Sequence, residues 1–195
     1  MIQGIISKKY LIMQQIGNLK YSFLNFCNLE KEQINLIFQE RNKDAVRKWM
    51  FDSKLIKLEE HYNFIASLKD SISKIYLLVV RNKIPIGVYN LVEISEGKAQ
   101  GGFYLFESSK EKNLGLEFLY YCLKYVFENL NINEIYGYSL KANRNANSIN
   151  KYLGFEFNET NNELVYSFLR KDKFVTDVIE NPKILNLLKY TLINH

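Results

Sequence analysis

The chain has 195 residues, of which 47% are hydrophobic and 24% charged, with 26 Lys and Arg residues against 21 Asp and Glu. This length fits one domain with a sizeable core, and the 14% aromatic content, 9 Gly and 2 Pro residues exclude a disordered, linker-like or collagen-like chain. The formal net charge of +5 is spread along the sequence, so it predicts no nucleic-acid partner.

The N-terminal part predicts one strand followed by helices. Acidic residues open the first helical segment, and Ile34, Ile37 and Phe38 share one face of it. A single domain is expected, in which residues 1–19 are an N-terminal extension, 20–171 the core and 172–195 a C-terminal helical extension. The predicted elements are a strand at Tyr21–Asn28 and helices at Leu29–Arg41, Asp44–Phe51 and Leu58–Lys69.

The middle of the chain changes to apolar runs bounded by short polar turns. Gly97 is available for a tight connection between two of these runs. Short connections of this kind join antiparallel neighbours, so we expect a three-stranded meander. Its predicted strands are Ile75–Val80, Ile84–Glu93 and Ala99–Phe106.

The C-terminal part alternates helices and strands. A broad apolar stripe makes Leu114–Asn129 the strongest helix of the sequence, and the strand–helix–strand order around it implies a parallel crossover. We therefore predict an α/β (α+β) fold with a mixed, mainly antiparallel sheet, helices on both faces, and the order β-α-α-β-β-β-α-β-α-β-β plus a C-terminal helix. The remaining elements are strands at Glu134–Leu140, Phe155–Phe157 and Glu163–Leu169, and helices at Asn145–Tyr152 and within Val175–Ile193.

Two cysteines and two histidines leave little room for metal chemistry. Cys27 and Cys122 form no CxxC pair, and both histidines lie far from them in the sequence. A zinc site needs three or four ligands, so no metal is expected, and the cysteines are predicted to be buried free thiols in a reducing compartment. No stretch approaches the roughly 18 uncharged apolar residues of a membrane span, which favours a cytoplasmic protein without a span.

The junction before the strongest helix is the clearest place for ligand chemistry. A helix N-terminus presents unpaired N–H groups and a partial positive charge, and both favour phosphate oxygens. Gly115 allows a ligand to approach the backbone, and Lys112 adds positive charge. Without a further clue, the same residues would also suit an ordinary solvated connection.

Two motifs supply the clue. Lys112-Asn113-Leu114-Gly115-Leu116-Glu117 half-matches a Gln/Arg-x-x-Gly-x-Gly/Ala loop, and Asn143-Arg144-Asn145-Ala146 is followed by a helix that ends in Gly154-Phe155. With the order of elements, they resemble the GNAT superfamily of acetyl-CoA-dependent N-acetyltransferases. The resemblance implies acetyl-CoA as co-substrate, a strand irregularity near Gly101-Gly102, and a cofactor site. That site comprises Leu105, Phe106, Glu107, Lys112, Asn113, Leu114, Gly115, Leu116 and Asn143.

A narrower resemblance concerns the acceptor. Arg41-Asn42 ahead of Trp49-Met50, and a His in the following helix, resemble the nucleotide-sugar N-acetyltransferases of bacterial pseudaminic acid synthesis. It implies an acceptor site of Arg41, Met50 and His61, to which we add Asn90 and Tyr104. Each motif residue also has an ordinary structural role open to it: a solvated arginine, a core methionine and a helical histidine.

The catalytic residues follow from the resemblance less directly. Many GNAT enzymes carry a Tyr as general acid seven residues after the helix Asn, and that position here is Asn150, which cannot protonate a thiolate. Tyr152 takes the place if the register starts at Asn145. Tyr138 stands where the sugar-specific relatives carry a carboxylate, Glu93 is a substitute base, and transfer without a dedicated base stays open.

The predicted function is acetyl-CoA-dependent N-acetylation of a nucleotide-linked amino sugar, a precursor of a surface or flagellin glycan. The alternatives are acetylation of a protein N-terminus or a small amine, or a catalytically silent acyl-CoA-binding module. A small-molecule amine is the expected partner, and a homodimer is left open.

Overall fold

The computed structural model describes residues 13–16, 19–109, 111–159 and 163–193. The chain divides into two compact units: unit 1 is Met1–Val92 with Gly102–Lys110, and unit 2 is Glu93–Gly101 with Glu111–His195. The described residues form strands β1 Met13–Ile16, β2 Leu19–Asn25, β3 Ile75–Arg81, β4 Ile84–Ser95, β5 Lys98–Leu105, β6 Glu134–Leu140, β7 Glu156–Glu159 and β8 Leu164–Arg170. The helices are α1 Lys31–Arg41, α2 Asp44–Arg47, α3 Leu58–Ser67, α4 Leu114–Asn129, α5 Arg144–Tyr152, α6 Lys171–Phe174 and α7 Pro182–Ile193.

Unit 1 is an antiparallel sheet with helices packed on its apolar residues. β1 pairs with β2, β2 with β3, and β3 with β4, all antiparallel. Ile37 of α1 and Ile65 of α3 are buried against β3 and β4, and burying each such side chain contributes about 1.5–3 kcal/mol. The cluster comprises Phe26, Ile37, Ile65, Leu68, Leu78, Val80, Val88 and Phe106.

Two hairpin turns set the register of the meander. Asn82 and Lys83 have φ of 49° and 70°, and Glu96 and Gly97 have φ of 49° and 77°. Consecutive residues with positive φ form the tight turns whose twist matches that of the flanking strands. The predicted three-stranded meander, with Gly97 in its second turn, is confirmed.

Unit 2 is built on β6, which has a parallel and an antiparallel neighbour. β5 pairs with β6 in parallel at Lys98, Ala99 and Gln100, and β6–β8 and β7–β8 are antiparallel. The predicted mixed, mainly antiparallel sheet is therefore confirmed. α4 spans the predicted residues and buries Phe118, Cys122 and most of its other side chains.

The C-terminal helices cover the core of unit 2. Ile184 and Leu188 of α7 are only 2% and 6% exposed, so this face packs inside the unit. The terminal helix predicted within Val175–Ile193 after Pro182 is confirmed as α7, which begins at Pro182, and α6 continues into a π-helix at Val175–Ile179 ahead of it. Pro at a first helical position costs no hydrogen bond, which suits a new start there.

Two predicted elements end at least three residues early in the structure. The strand at Tyr21–Asn28 ends at Asn25, because the Asn25 side chain accepts a hydrogen bond from the Cys27 N–H at 2.9 Å and opens a 3₁₀ turn over Phe26–Asn28. The helix predicted at Asp44–Phe51 ends at Arg47. There the Arg47 guanidinium donates hydrogen bonds to the carbonyls of Asn42 and Ser53, and these bonds hold the chain in a turn.

The N-terminal extension contains a strand that the sequence pattern did not predict. β1 pairs with β2 from Met13 opposite Ser22 to Ile16 opposite Leu19. The rest of the predicted extension, residues 1–12 and 17–18, lies outside the described residues.

The two cysteines differ in burial. Cys122 is fully buried in α4, and burial raises the pKa of its thiol well above the ordinary value. Cys27 is half-buried rather than buried as predicted; burial raises its thiol pKa, and Lys69 offsets part of the rise. No helix among the described residues is long and apolar enough to cross a bilayer.

Candidate active site

Unit 1 contains a cavity of about 320 Å³ that combines aromatic walls with a few polar groups. Helices α1 and α3, strands β3–β5 and the segment between α2 and α3 all contribute to it. Its lining residues are Phe26, Ile37, Arg41, Ile56, Glu60, His61, Phe64, Tyr76, Val88 and Tyr104. Mainly apolar pockets with a few convergent polar groups are the usual form of small-molecule sites.

Arg41, the last residue of α1, presents donors to this cavity. Its Nη2 donates to the carbonyl of Asp52 at 2.8 Å, which fixes the guanidinium. Its Nη1 is buried and has no hydrogen-bond partner within the described part of the chain. A buried guanidinium nitrogen without an acceptor is costly, so this group is suited to receive an acceptor from a ligand.

His61 lies on α3 with 5% of its surface exposed. Burial lowers its pKa below 6.5, and a backbone hydrogen bond with Ile34 opposes that shift. Its Nε2 has no partner among the described residues, so the bond to Ile34 uses Nδ1 as the donor. The imidazole is therefore neutral near pH 7, and its Nε2 can accept a hydrogen bond from a ligand.

Aromatic rings form much of the remaining wall. Phe64 meets Tyr76 edge to face with centroids 4.9 Å apart, and Phe26 lies 5.6 Å from Tyr76. Burial raises the pKa of the Tyr104 hydroxyl, and the Arg41 charge offsets part of the rise. Tyr104 thus stays protonated near neutrality and can donate a hydrogen bond.

Three of the five predicted acceptor residues line this cavity: Arg41, His61 and Tyr104. Met50 and Asn90 are not among the lining residues. Met50 is half-buried in the turn after α2, where its N–H donates to the Arg47 carbonyl at 2.9 Å. Asn90 lies against β5 instead: a Cβ on Gly102 would stand 2.9 Å from its Oδ1, so Gly102 makes room for the Asn90 amide.

Sequence reasoning missed Asn42, although it follows Arg41 directly. The Asn42 amide donates to the Ile56 carbonyl at 3.0 Å and accepts from the Ile56 N–H at 2.9 Å. This two-sided bond holds the segment between α2 and α3 beside α1, and so places Ile56 in the cavity wall. The signal available in the sequence was only its position next to Arg41.

Glu40 was also missed, and it acts at the end of β5. Its carboxylate accepts from the Glu107 N–H and from the Lys43 ammonium, each at 2.7 Å. The Phe106 N–H donates to the Ile86 carbonyl at 2.9 Å. The amide hydrogens of Phe106 and Glu107, two of the three predicted thioester-arm residues, are therefore engaged within unit 1, and Leu105 ends β5 just before them.

The N-terminus of α4 in unit 2 is open to a ligand. Asn113 has φ of 64°, and its side chain makes no capping hydrogen bond to the helix. The Leu114 and Leu116 N–H groups donate to the carbonyls of Glu111 and Asn113, whereas Gly115 N–H has no acceptor among the described residues. A left-handed residue followed by helical ones turns successive N–H groups the same way, which is an anion-binding geometry. Lys112 and Asn113 are exposed; Leu114 and Leu116 are buried.

α5 begins and ends as its sequence motif predicted. The Asn143 side chain accepts from the Ala146 N–H at 3.2 Å and caps the helix. Gly154 has φ of 78°, and the Phe155 N–H donates to the Asn150 carbonyl at 3.0 Å, which closes the C-terminus. Asn143, which was predicted as a cofactor-site residue, thus has a structural role as the helix cap.

The two candidate catalytic tyrosines are accessible. Tyr152 ends α5 with 44% of its surface exposed, and Tyr138 on β6 is 43% exposed with its ring centroid 5.3 Å from that of Tyr166. The substitute base Glu93 has φ of 53° and accepts from the Tyr136 hydroxyl at 2.7 Å, a bond that raises the pKa of Tyr136 to about 12. The described residues contain no group of three or more His, Cys, Asp or Glu able to hold a metal ion.

The family model for the acetyltransferase (GNAT) domain matches residues 24–156, which include the cavity, the α4 junction and α5. This chain belongs to the GNAT acetyltransferase family. It is therefore an acyltransferase, and the predicted family and fold are confirmed.

The chain is also similar to individual acetyltransferases. The chain is 35% identical over 122 residues, or 63% of its length and 76% of the relative's, to acetyltransferase PseH of Campylobacter jejuni subsp. jejuni serotype O:23/36 (strain 81-176). The crystal structure of Campylobacter jejuni N-acetyltransferase PseH in complex with acetyl coenzyme A matches at 27% identity and a TM-score of 0.64, covering 77% of this chain and 98% of that one. A spermidine N-acetyltransferase from Vibrio cholerae shares the fold at 16% identity and a TM-score of 0.72, covering 83% of this chain and all of that one.

Proposed function

We propose that this GNAT enzyme transfers the acetyl group of acetyl-CoA to the amine of a nucleotide-linked amino sugar. The observation that carries the proposal is the cavity of unit 1, where the buried Nη1 of Arg41 and the buried Nε2 of His61 have no hydrogen-bond partner among the described residues and aromatic rings form much of the wall. Similarity to PseH, one structure of which contains acetyl coenzyme A, supports both the co-substrate and the acceptor class.

The chemistry of the cavity fits a nucleotide better than a polyamine. Aromatic rings stack on a planar base, and a donor beside an acceptor complements the edge of a nucleobase. A polyamine needs several carboxylates, whereas the single carboxylate in the cavity, that of Glu60, accepts from the Lys57 N–H at 2.8 Å. The positive charge of Arg41 also disfavours a polycation.

The start of α4 in unit 2 is the proposed site of the coenzyme diphosphate. The N–H of Gly115, the left-handed Asn113 and the exposed Lys112 supply a backbone donor, an anion-binding turn and a positive charge. Burial of Leu114 and Leu116 fixes this turn to the core of the unit. Leu105 in unit 1 is the proposed place of the thioester arm.

The proposed chemistry is direct attack of the neutral amine on the thioester carbonyl. The amine nitrogen forms the new C–N bond and gives up one proton to water or to a base, the C–S bond breaks, and the coenzyme leaves as a thiolate that takes up a proton from the general acid or from water. Tyr152 is the proposed acid candidate, and Tyr138 stands at the position where the base is expected. Phe substitution of the residue that acts as acid should lower kcat by about 10²–10⁴-fold with little change in KM.

An acceptor comparison tests the proposal. The purified chain is incubated with acetyl-CoA and one of three amines: a nucleoside-diphosphate-linked amino sugar, spermidine, or a peptide with a free N-terminus. Release of free thiol measures turnover. We expect turnover with the nucleotide-linked sugar and background with the other two.

Each other outcome contradicts a defined part of the proposal. Turnover with spermidine or the peptide, and not with the sugar, would overturn the acceptor. No turnover with any amine, together with no heat of binding at millimolar acetyl-CoA, would overturn the enzymatic assignment of both units. Binding of acetyl-CoA without turnover would identify a silent acyl-CoA-binding module.

A further inference from the structure

The carboxylate of Glu40 joins two segments of unit 1 that are far apart in the sequence. Glu40 is the penultimate residue of α1 and is only 4% exposed. Its Oε2 accepts from the Glu107 N–H at 2.7 Å, 67 residues further along the chain. Its Oε1 accepts from Lys43 at 2.7 Å, and this bond raises the pKa of Lys43.

Both segments carry residues of the proposed site. Arg41 follows Glu40 directly and lines the cavity, and so does Tyr104, on β5 three residues before Glu107. β5 ends at Leu105, and the next bond that holds this stretch is the one from the Phe106 N–H to the Ile86 carbonyl at 2.9 Å. The hydrogen bond from the Glu107 N–H to the Glu40 side chain therefore ties the chain to α1 two residues after β5 ends.

We infer that Glu40 is a positioning residue that fixes the end of β5 against the C-terminal turn of α1. Without it, the Glu107 N–H loses its acceptor and the Leu105–Glu107 stretch is no longer aligned with the Arg41 side of the cavity. A displacement of about 1 Å in a group that orients reactants can lower a rate about 10²-fold. The inference rests on the proposed function, because it assigns Leu105 to the acetyl arm and Arg41 to the acceptor.

Two substitutions of Glu40 can distinguish the reach of its side chain to the Glu107 N–H from its negative charge. Glutamine has the length of glutamate and a carbonyl oxygen that can accept from the Glu107 N–H, but it lacks the charge that attracts Lys43. Aspartate keeps the charge but is one methylene shorter, so it cannot make the 2.7 Å contact from the same backbone. If positioning matters, Gln preserves turnover and Asp does not.

The test measures kcat, KM and the acetyl-CoA dissociation constant for Glu40→Gln, Glu40→Asp and Glu40→Ala. Glu32→Gln, an exposed carboxylate on the same helix, is the matched control. All assays run at least 15 °C below each melting temperature, a margin chosen so that unfolded protein does not lower the rate. We expect Glu40→Gln within about threefold of the unsubstituted kcat, and Glu40→Asp and Glu40→Ala reduced about 10–100-fold at saturating substrates.

The outcomes are decisive even if Glu40→Ala does not fold, because the Gln and Asp variants are compared with each other. Equal kcat for all folded variants, with only the melting temperature lowered, would overturn the inference and leave Glu40 a structural residue. A greater loss in Gln than in Asp would also overturn it, since charge would then matter more than reach. Failure of the proposed function would appear differently, as absent turnover in the unsubstituted chain.

Discussion

The acceptor cavity of unit 1 and the α4 junction of unit 2 use different parts of the chain to recognise a ligand. In the cavity, side chains provide the available groups: Nη1 of Arg41 and Nε2 of His61 are buried and have no hydrogen-bond partner in the part of the chain that the structure describes. At the junction, the backbone provides them: Asn113 turns the chain with φ of 64°, and the Gly115 N–H has no acceptor within the same described ranges. A side-chain site can be removed by deleting an atom, whereas a backbone site is removed only by blocking or reshaping it.

Blocking the backbone should give the largest loss of ligand affinity. Gly115→Trp places a large side chain where the diphosphate is proposed to meet the helix, so acetyl-CoA affinity should fall at least about 100-fold, because the diphosphate is then kept from both the Gly115 N–H and the Lys112 charge. Isothermal titration measures it. Gly115→Ala is the control: helix propensity should stabilise the protein by up to about 1 kcal/mol, with a smaller loss of affinity. Unchanged binding in Gly115→Trp would remove the junction as the coenzyme site.

Deleting the Arg41 guanidinium should give the next largest loss of affinity, and only for the acceptor substrate. Arg41→Met removes the guanidinium but keeps an unbranched apolar side chain, so the acceptor KM should rise about 10–100-fold, the range for a hydrogen bond from a charged donor. The acetyl-CoA dissociation constant should not change. Lys54→Met, an exposed cation in the segment beside the cavity, is the matched control. A parallel loss of acetyl-CoA affinity would end the distinction between the two regions.

Protonation of His61 should lower the stability of the folded chain by a smaller amount that depends on pH. Its pKa is lowered by burial in the folded chain, so the unfolded chain binds more protons as the pH falls. Its contribution to stability is complete above pH 6.5 and is lost as the pH falls from there through the lower folded value. Melting temperatures from pH 8 to pH 5 should show this loss, and His61→Phe should flatten the profile. An equally steep profile in His61→Phe would assign the pH dependence elsewhere.

Changing the residue type while keeping the backbone shape should have the smallest effect at the junction. Glycine adopts the left-handed conformation of Asn113 without strain, so Asn113→Gly should change the free energy of unfolding by less than about 1 kcal/mol. Acetyl-CoA affinity should stay within threefold, because no Asn113 side-chain cap is lost. A loss of tenfold or more, measured by titration, would show that the Asn113 side chain itself contacts the ligand.

The same contrast explains what the sequence could predict. Local patterns identified the long helix at Leu114–Asn129, the meander and the glycine that closes α5, because periodicity and positive-φ turns are local properties. Strand β1 was not predicted, because its segment has no clear apolar pattern from which the pairing with β2 could be inferred. The end of the helix at Arg47 was not predicted either, because it depends on the hydrogen bonds from the Arg47 guanidinium to the Asn42 and Ser53 carbonyls.

The site followed the same division. The motif resemblance assigned Arg41 and His61 to one acceptor site, Tyr104 was added to it, and all three line the cavity. It did not separate them from Met50 and Asn90, whose neighbours depend on the turn after α2 and on the close approach of Gly102. The role of Asn42, although it belongs to the Arg41-Asn42 motif, and the role of Glu40 were not predicted, because each acts through a partner distant in the chain, Ile56 for Asn42 and Glu107 for Glu40.

The two cysteines lie in different units and differ in burial, so the rate at which each thiol is alkylated reports on the unfolding of its own unit. Cys27 lies in unit 1 and Cys122 in unit 2, and both thiols have raised pKa values, so little thiolate forms near neutral pH. An alkylating reagent can reach Cys122 only when unit 2 opens, because that side chain is fully buried. The rate at which Cys122 is trapped therefore measures how often the proposed coenzyme-binding half of the chain unfolds, and a ligand that binds there should slow that rate while leaving Cys27 nearly unaffected.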